Sequence, residues 1–385
     1  MKKQETTGKA LCDNHNQSVP MIRKKVHMLR KTFAMLVALS LMFTLGSWTV
    51  GSAKADQCTA VNGQLLIDAG QYKKAIQEFS CLIDAQPTEV EGYRGRIEAK
   101  LLLGHYSDAM RDFTLITVLI LPEHPDVAST ILAGYSARLA VDPNNVAALT
   151  GKSFMQWIDY DYPSTIHTLN QLLQVQPASV YGNLFLGSSR LLKGIATAKG
   201  IKNLDFALDH APNSPDVHFI VADAYTYGLS DPQRAFAEAT LALNGGLNTP
   251  RVHAILASSY LAFGDMTSAA EHIKMHIDMV TTEFVTTNTM DPDTTNTLEL
   301  VAGRTYTIPV PAIVGETISI TTSSSDYWDT ILVLLDPDGT PVAGADDSWF
   351  YFAELDWVAE ETGTYLLQVT FFESVNIGEV VVTRK

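Results

Sequence analysis

Along residues 56–283 apolar positions recur at three- and four-residue spacing, the period of helices that each bury one stripe. Near Val280 that pattern stops, and the period becomes two. Thr317-Ile318-Ser319-Ile320-Thr321 alternates, and so does Tyr365-Leu366-Leu367-Gln368-Val369-Thr370, as strands with one face inward do. Asp336-Pro337-Asp338-Gly339 reads as a hairpin turn, with proline pre-setting φ and glycine taking φ > 0. Gly303, Gly315, Gly339, Gly363 and Gly378 punctuate the short runs around it, which predicts a β-sandwich of about seven or eight strands over 298–385. Between the two regimes, residues 281–297 hold eight threonines and Asp291-Pro292-Asp293, so 284–297 reads as a linker.

The helical region repeats itself. Gly70, Tyr72, Ala75 and Phe79 recur as Gly104, Tyr106, Ala109 and Phe113, each shifted by 34 residues. Gly264, Ala269 and Ile273 keep the same frame, and Pro143 and Pro177 are also 34 apart. These spacings resemble the tetratricopeptide repeat, a unit of two antiparallel helices. The resemblance implies an all-α solenoid, with small residues where paired helices cross (Gly63 with Ala75, Ala257 with Ala269) and large ones in the gaps (Phe79, Tyr260). Units fall at about 56–89, 90–123, 146–179, 180–213, 214–249 and 250–283. Residues 124–145 depart from the pattern by supplying one long helix that ends at Asp142-Pro143, and Leu229–Pro232 carries a one-residue insertion.

Each pair exposes an apolar face that only its neighbours cover, so the first unit has to cap the array. In the frame of that unit Cys58 and Cys81 face each other across the pair. They are either a disulfide or two buried thiols. The resemblance also implies a concave groove, lined by the first helix of each unit, that takes an extended peptide or a partner helix. Its lining would include Glu91, Arg94, Glu98, Phe154, Trp157, Tyr181, Asp223, Tyr227 and Arg251, although each taken singly reads more readily as a packing or solvated position. The basic clamp by which some members hold a C-terminal carboxylate is missing. The matching positions hold Arg94 and Glu98, or Thr150 and Phe154, which argues against a receptor for chaperone tails.

The strand region has its own resemblance. Ala302-Gly303-Arg304-Thr305-Tyr306, the run Leu332–Gly339, Asp346-Asp347 and Glu361-Thr362-Gly363-Thr364-Tyr365 resemble the bacterial pre-peptidase C-terminal domain. That implies a jelly-roll-like all-β module of the kind appended to secreted enzymes and surface proteins.

The N-terminus points to export. Arg23, Lys24, Lys25, Arg30 and Lys31 lead into an apolar run from Phe33 to about Leu45, followed by Ala53-Lys54-Ala55. Basic region, short apolar core and small-x-small site make residues 1–55 a signal peptide with an N-terminal extension, cleaved after Ala55. The mature protein is then secreted, periplasmic or on the cell surface. The competing reading is a retained anchor, because the uncharged stretch 32–53 is long enough to span a bilayer, and only then is a membrane a partner.

Of the 385 residues, 46% are apolar and 18% charged, with 42 acids against 27 bases. Nine of those bases precede residue 56, so the remainder carries a charge of −22. A nucleic-acid binder needs a basic face, and this chain has the opposite field. Residues 295–385 alone hold 14 acids and three bases. Such a domain invites Ca²⁺ at Asp346 and Asp347 with Asp326 or Asp329; solvated surface acids are the plainer alternative. Beside that pair, Trp349 and Tyr351 alternate with Phe350 and Phe352. One pair faces inward as core, and an outward Trp349 or Tyr351 would stack on sugar rings or anchor a protein.

No Gly-x-Ser-x-Gly elbow, phosphate loop or His-Glu-x-x-His occurs in the sequence. His272 and His276 stand four apart on the last helix without an evident third metal ligand. The sequence therefore reads as a non-enzymatic adaptor without a cofactor, binding a protein or peptide in its repeat groove, with the β-domain as a second contact. The alternative is a protein that binds carbohydrate or cell wall through the β-domain.

Overall fold

The structure is a computed structural model that describes residues 58–116, 120, 126–301, 303–324, 329–346, 353–371 and 377–385. The leader and its cleavage point lie outside those residues, as do Asp326, Asp347, Trp349, Phe350, Tyr351 and Phe352. The chain forms two compact units, residues 1–155 and 156–385. Among the described residues no helix is long and apolar enough to cross a membrane.

In the first unit α1 (Ala60–Asp68) opens at Thr59, whose hydroxyl accepts the Asn62 amide. It pairs with α2 (Tyr72–Ala85), and α3 (Val90–Leu103) pairs with α4 (Tyr106–Leu115). The fully buried Phe79 ring fills the space between α1 and α3; a Cβ at Gly63 would stand 2.5 Å from it, so only glycine lets the helices approach. After α4 the described residues of this unit continue with α5 (Val127–Val141). Cys58 and Cys81 are joined as a disulfide with Cα atoms 5.9 Å apart, tying the start of α1 to the last turns of α2. Their sequence separation is 23. Closing a loop of that size stabilises by about 3 kcal/mol. Reduction, or the pair Cys58→Ser with Cys81→Ser, is expected to lower the unfolding free energy of the first transition by about that amount and so move its urea midpoint down; an unchanged midpoint would show that the bridge adds nothing to the cap.

Helix α6 (Val146–Ile158) is followed by α7 (Tyr162–Val175), and the second unit continues with α8 (Val180–Leu192) and α9 (Thr197–His210). Next come α10 (Pro215–Ala224), a π-helical turn at Tyr225–Leu229, α11 (Pro232–Asn244), α12 (Pro250–Phe263) and α13 (Met266–Val280). Ser179, Ser214, Asp231, Thr249 and Asp265 each accept a backbone amide as N-caps, and Pro215, Pro232 and Pro250 sit in first turns where their missing N–H costs nothing. The turn within each pair carries a left-handed residue at one recurring slot, Gly70, Gly104, Tyr160, Gly194, Ser230 and Gly264, and the α8–α9 turn adds a second, Ala196 at φ 49°. The slot steps by 34 residues from Gly70 to Gly104, from Tyr160 to Gly194 and from Ser230 to Gly264; it steps by 56 from Gly104 to Tyr160, a stretch that includes α5, and by 36 from Gly194 to Ser230, where the π-turn absorbs the surplus.

Among the described residues nine strands make the β-sandwich. One sheet has the order β1-β3-β8-β5-β6 and the other β2-β9-β4-β7. These are β1 (Glu283–Thr286), β2 (Thr294–Val301), β3 (Arg304–Ala312), β4 (Thr317–Ser323), β5 (Thr330–Leu335), β6 (Pro341–Asp346), β7 (Glu354–Val358), β8 (Gly363–Phe371) and β9 (Ile377–Arg384). All neighbours are antiparallel except β1 with β3. Asp336 closes the β5–β6 hairpin by accepting the Thr340 amide on its carboxylate at 2.7 Å. The linker expected over 284–297 is instead built into the sheets. Glu283–Thr286 pairs with Arg304–Thr307, and Thr294–Val301 pairs along the whole of β9. Threonine-rich sequence suits pleated, half-buried strands as well as it suits a linker.

The sandwich is also packed on the last helix pair. Ala254, Ala257, Ala270, Ile273 and Ile277 share one buried cluster with Ile331, Val333 and Leu335 of β5. Leu332 and Leu334 point the other way, into the sandwich core. Every residue of β5 is therefore buried, and its unbroken apolar run reflects two covered faces.

Candidate protein-binding face

The first helices of the pairs in the second unit, α8, α10 and α12, stand side by side, so their outward side chains form one face. On α8 and the end of α6, Trp157 donates its indole N–H to Ser188 Oγ at 3.3 Å and meets the Phe185 ring edge-on at 5.1 Å. Tyr181 tilts onto Phe185 at 4.5 Å. Further along, Arg251 of α12 donates from Nε to Asp223 of α10 at 3.0 Å and lies over the Tyr227 ring at 4.2 Å. Tyr227 comes from the π-turn, which Gly228 seats against α8; a Cβ there would stand 2.8 Å from the Leu191 carbonyl carbon.

Tyr227 is 44% exposed yet surrounded by protein. Its phenol pKa is raised first by that confinement and then, against the lowering effect of Arg251, by Asp223, Asp346 and Asp329. Tyr162, at the start of α7, is pushed up to about 12, mainly by burial and secondarily by Tyr160 and Asp223. The rings of Tyr160 and Tyr162 meet edge-on at 6.2 Å. The tips of three helix pairs thus converge on Arg251 and Asp223.

The expected lining divides sharply. Trp157 is half-buried and Tyr227 and Arg251 are accessible, whereas Phe154, Tyr181 and Asp223 are buried and cannot be reached in this conformation. In the first unit Glu98 is wholly buried and binds Arg138, with 2.9 and 2.7 Å contacts from Nη1, as well as Arg94. Arg94 also holds Glu91 at 2.6 Å and lies over Tyr135 at 5.6 Å. Glu98 and Arg94 are therefore a structural ion network, and of that trio only Glu91 faces solvent. Sequence spacing does not tell a groove position from an inter-helix one. Asp346 ends β6, and its expected companions Asp347, Trp349 and Tyr351 lie outside the described residues. Among the described residues no group of three or more His, Cys, Asp and Glu is placed to hold a metal.

His272 and His276 do not converge on a common ion either. His276 Nδ1 donates to the Pro250 carbonyl at 2.9 Å. His272 turns to His253, which the sequence did not single out. With Nε2–H of His253 donated to Asn248 Oδ1 at 2.7 Å, its Nδ1 is left to accept from His272 Nδ1–H at 2.8 Å. Burial, then His272 and His276, lowers the His253 pKa to about 4, and burial lowers His272 as well against the pull of Glu271. A base depressed in the folded state stays neutral there while the unfolded chain takes up protons below about 6.5, so stability falls with falling pH. Between pH 6.5 and 4 the loss from His253 is expected to be about 2 kcal/mol. Urea titrations of the wild type and His253→Gln across that window check it; equal slopes would remove His253 from the account.

With this geometry in view, comparisons with known proteins locate the chain. No family model matches the sequence, and no curated protein matches it. Solved structures do. The pre-peptidase C-terminal domain of the collagenase from Bacillus anthracis is similar at 18% identity and a TM-score of 0.23, over 26% of this chain and 93% of that one. A tetratricopeptide repeat protein from Parabacteroides merdae is similar at 15% identity and a TM-score of 0.35, over 68% of this chain and 93% of that one. Human IFIT1, as a dimer with m7Gppp-AAAA, is similar at 14% identity and a TM-score of 0.37, over 66% of this chain and 65% of that one. The chain is similar to tetratricopeptide-repeat proteins along its helices and to a pre-peptidase C-terminal domain along its strands. It is a helical-repeat array followed by an all-β sandwich.

Proposed function

We propose that this protein is an exported, non-enzymatic adaptor that binds a protein or peptide on the first-helix face of its repeats, with the β-sandwich as a second, firmly mounted contact. The observation that carries this reading is the accessible Trp157, bonded to Ser188 of α8, together with the accessible pair Tyr227 and Arg251, held by Asp223 of α10. Aromatic and arginine side chains on a rigid scaffold are the residues that dominate protein recognition. The leader pattern and the Cys58–Cys81 bridge support an oxidising compartment. A net charge of −22 beyond residue 55 speaks against RNA as the ligand.

The test is capture of partners from the extracytoplasmic fraction on mature 56–385 and on the same chain carrying Trp157→Ala with Arg251→Ala. A protein retained by the first and lost from the second supports the reading. Retention of glycan alone, indifferent to both substitutions, would replace it with the carbohydrate-binding alternative.

A further inference from the structure

We propose that the outer edge of β2 binds an extended segment of the partner protein as an added strand, with a lysine or arginine of that segment beside Glu299. The inference rests on the adaptor reading and says where the sandwich makes its contact.

The backbone of β2 leaves one side unused. Lys385, the residue after β9, donates its N–H to the Ser319 carbonyl of β4 at 3.0 Å. Backbone groups alternate in direction along an antiparallel strand, so the odd-numbered residues of β9 turn theirs to β4 and the even-numbered ones to β2. Register then fixes β2. Thr294, Asn296, Leu298 and Leu300 stand opposite even-numbered residues and bond to β9, while Thr295, Thr297, Glu299 and Val301 turn their N–H and C=O groups outward. A second contact agrees: Tyr306, from the other sheet, donates its hydroxyl to the Glu299 carbonyl at 2.6 Å. Among the described residues the outward backbone groups of Thr295 and Thr297 have no such partner.

This edge also lacks the usual guards against strand addition. In the other sheet β6 lies under α13, with Gly344 against Ala270, and β1 is only four residues long. Strand β2 runs for eight residues without proline, lysine or a register shift, and Thr295, Thr297 and Glu299 are exposed. Alongside it lies a cleft of about 370 Å³, lined by Thr287, Asn288, Asn296 and Tyr306 among others, with room for the side chains that an added strand turns inward.

The occupant follows from these groups. Unpaired N–H and C=O groups at two-residue spacing match another extended backbone. Glu299 stands directly opposite Glu379 with both exposed, a like-charge pair that weakens the sheet. A basic side chain on the added strand relieves that repulsion. A second copy of this sandwich, with 14 acids and three bases over 295–385, would add to it.

The experiment uses mature 56–385 and labelled ten-residue peptides of alternating threonine and valine with Lys or Glu at the centre. With the Lys peptide in excess, amide hydrogen exchange at Thr295 and Thr297 is expected to slow at least about tenfold. By fluorescence anisotropy the Glu peptide should bind about tenfold more weakly. Thr297→Pro removes an outward N–H and no bond to β9, so it should fold as the wild type does and weaken binding about tenfold. Thr297→Val keeps the backbone donor and should bind within about twofold of the wild type. Methylating every backbone amide of the peptide should abolish binding with the protein unaltered. Absence of binding, binding that survives Thr297→Pro or methylation, or unchanged exchange at Thr295 and Thr297 overturns the inference. So does a dimer of this chain that Thr297→Pro dissociates, which would give the edge to a second copy. The adaptor reading is judged separately by Trp157→Ala with Arg251→Ala, which leaves β2 untouched.

Discussion

Gly344→Val is expected to unseat α13 from the sandwich and to destabilise residues 156–385 by about 3 kcal/mol. Gly344 is on β6, and a Cβ there would stand 2.7 Å from Ile273 Cδ1 and 3.1 Å from the Ala270 Cα. The first neighbour is a side-chain tip that can turn away, but the second is helix backbone and can yield only if α13 moves. Helix and strand close over a cluster of Ile273, Ile277, Ile331, Val333 and Leu335, so any separation wets apolar surface on both. Gly344→Ala should cost about 1 kcal/mol, and Ile273→Val, which removes the offending carbon, should recover part of it. Urea denaturation followed by circular dichroism reads the result. The wild-type second unit should melt in one transition, whereas Gly344→Val should move it down or split it. An unchanged transition would show that the helices and sandwich are held elsewhere.

This interface decides how the two contact modules act. A flexible tether sets an effective concentration through its length, but a shared core fixes the spacing of the two surfaces. It also means that cutting the chain near residue 284 exposes Ile331, Val333 and Leu335 on the sandwich and Ile273 and Ile277 on the helix. Binding is therefore best measured on the whole mature chain.

Glu98→Ala is the second large effect, expected to cost the first unit about 3–5 kcal/mol. The carboxylate is wholly buried and faces two guanidinium groups, Arg138 at 2.7 Å and Arg94 at 3.4 Å, of which Arg94 is only 10% exposed. Removing the acid leaves those positive charges in a desolvated place, and that penalty exceeds the worth of the bridge itself. Replacing the set together, by Glu98→Leu with Arg94→Met and Arg138→Leu, should restore most of the loss. Thermal melts of the single and triple variants distinguish this from a surface role: a groove residue at 98 would cost stability little and would lower partner binding instead.

Much of the architecture can be read from the chain because its causes are local or periodic. A 34-residue recurrence of small and large residues specifies helix pairs, since each crossing needs a small side chain and each gap a large one, as Gly63 and Phe79 show. Alternation at Thr317–Thr321 and the Asp-Pro-Asp-Gly turn specify strands and a hairpin through backbone geometry alone. An insertion before Pro232 was visible in the sequence, though its consequence, a π-turn that puts Tyr227 on the face beside Arg251, depends on neighbours from α8 and α12.

Charge pairing and burial were not legible in the same way. Glu98 and Glu91 are alike in sequence, but one faces Arg138, 40 residues away in the chain, and the other faces water. Tyr160 looks like any turn residue until its φ shows it standing in a glycine slot. The Thr-rich segment has the composition of a linker, and only pairing with β3 and β9 makes it sheet. The sequence by itself determined the repeat, the change of period near Val280 and the acidic charge, because these follow from composition and spacing along one strand of polypeptide. The tertiary structure alone decided which groove positions are reachable, which histidines touch and that the sandwich is fused to the last helix pair, because each of those depends on the distance between residues that the sequence holds far apart.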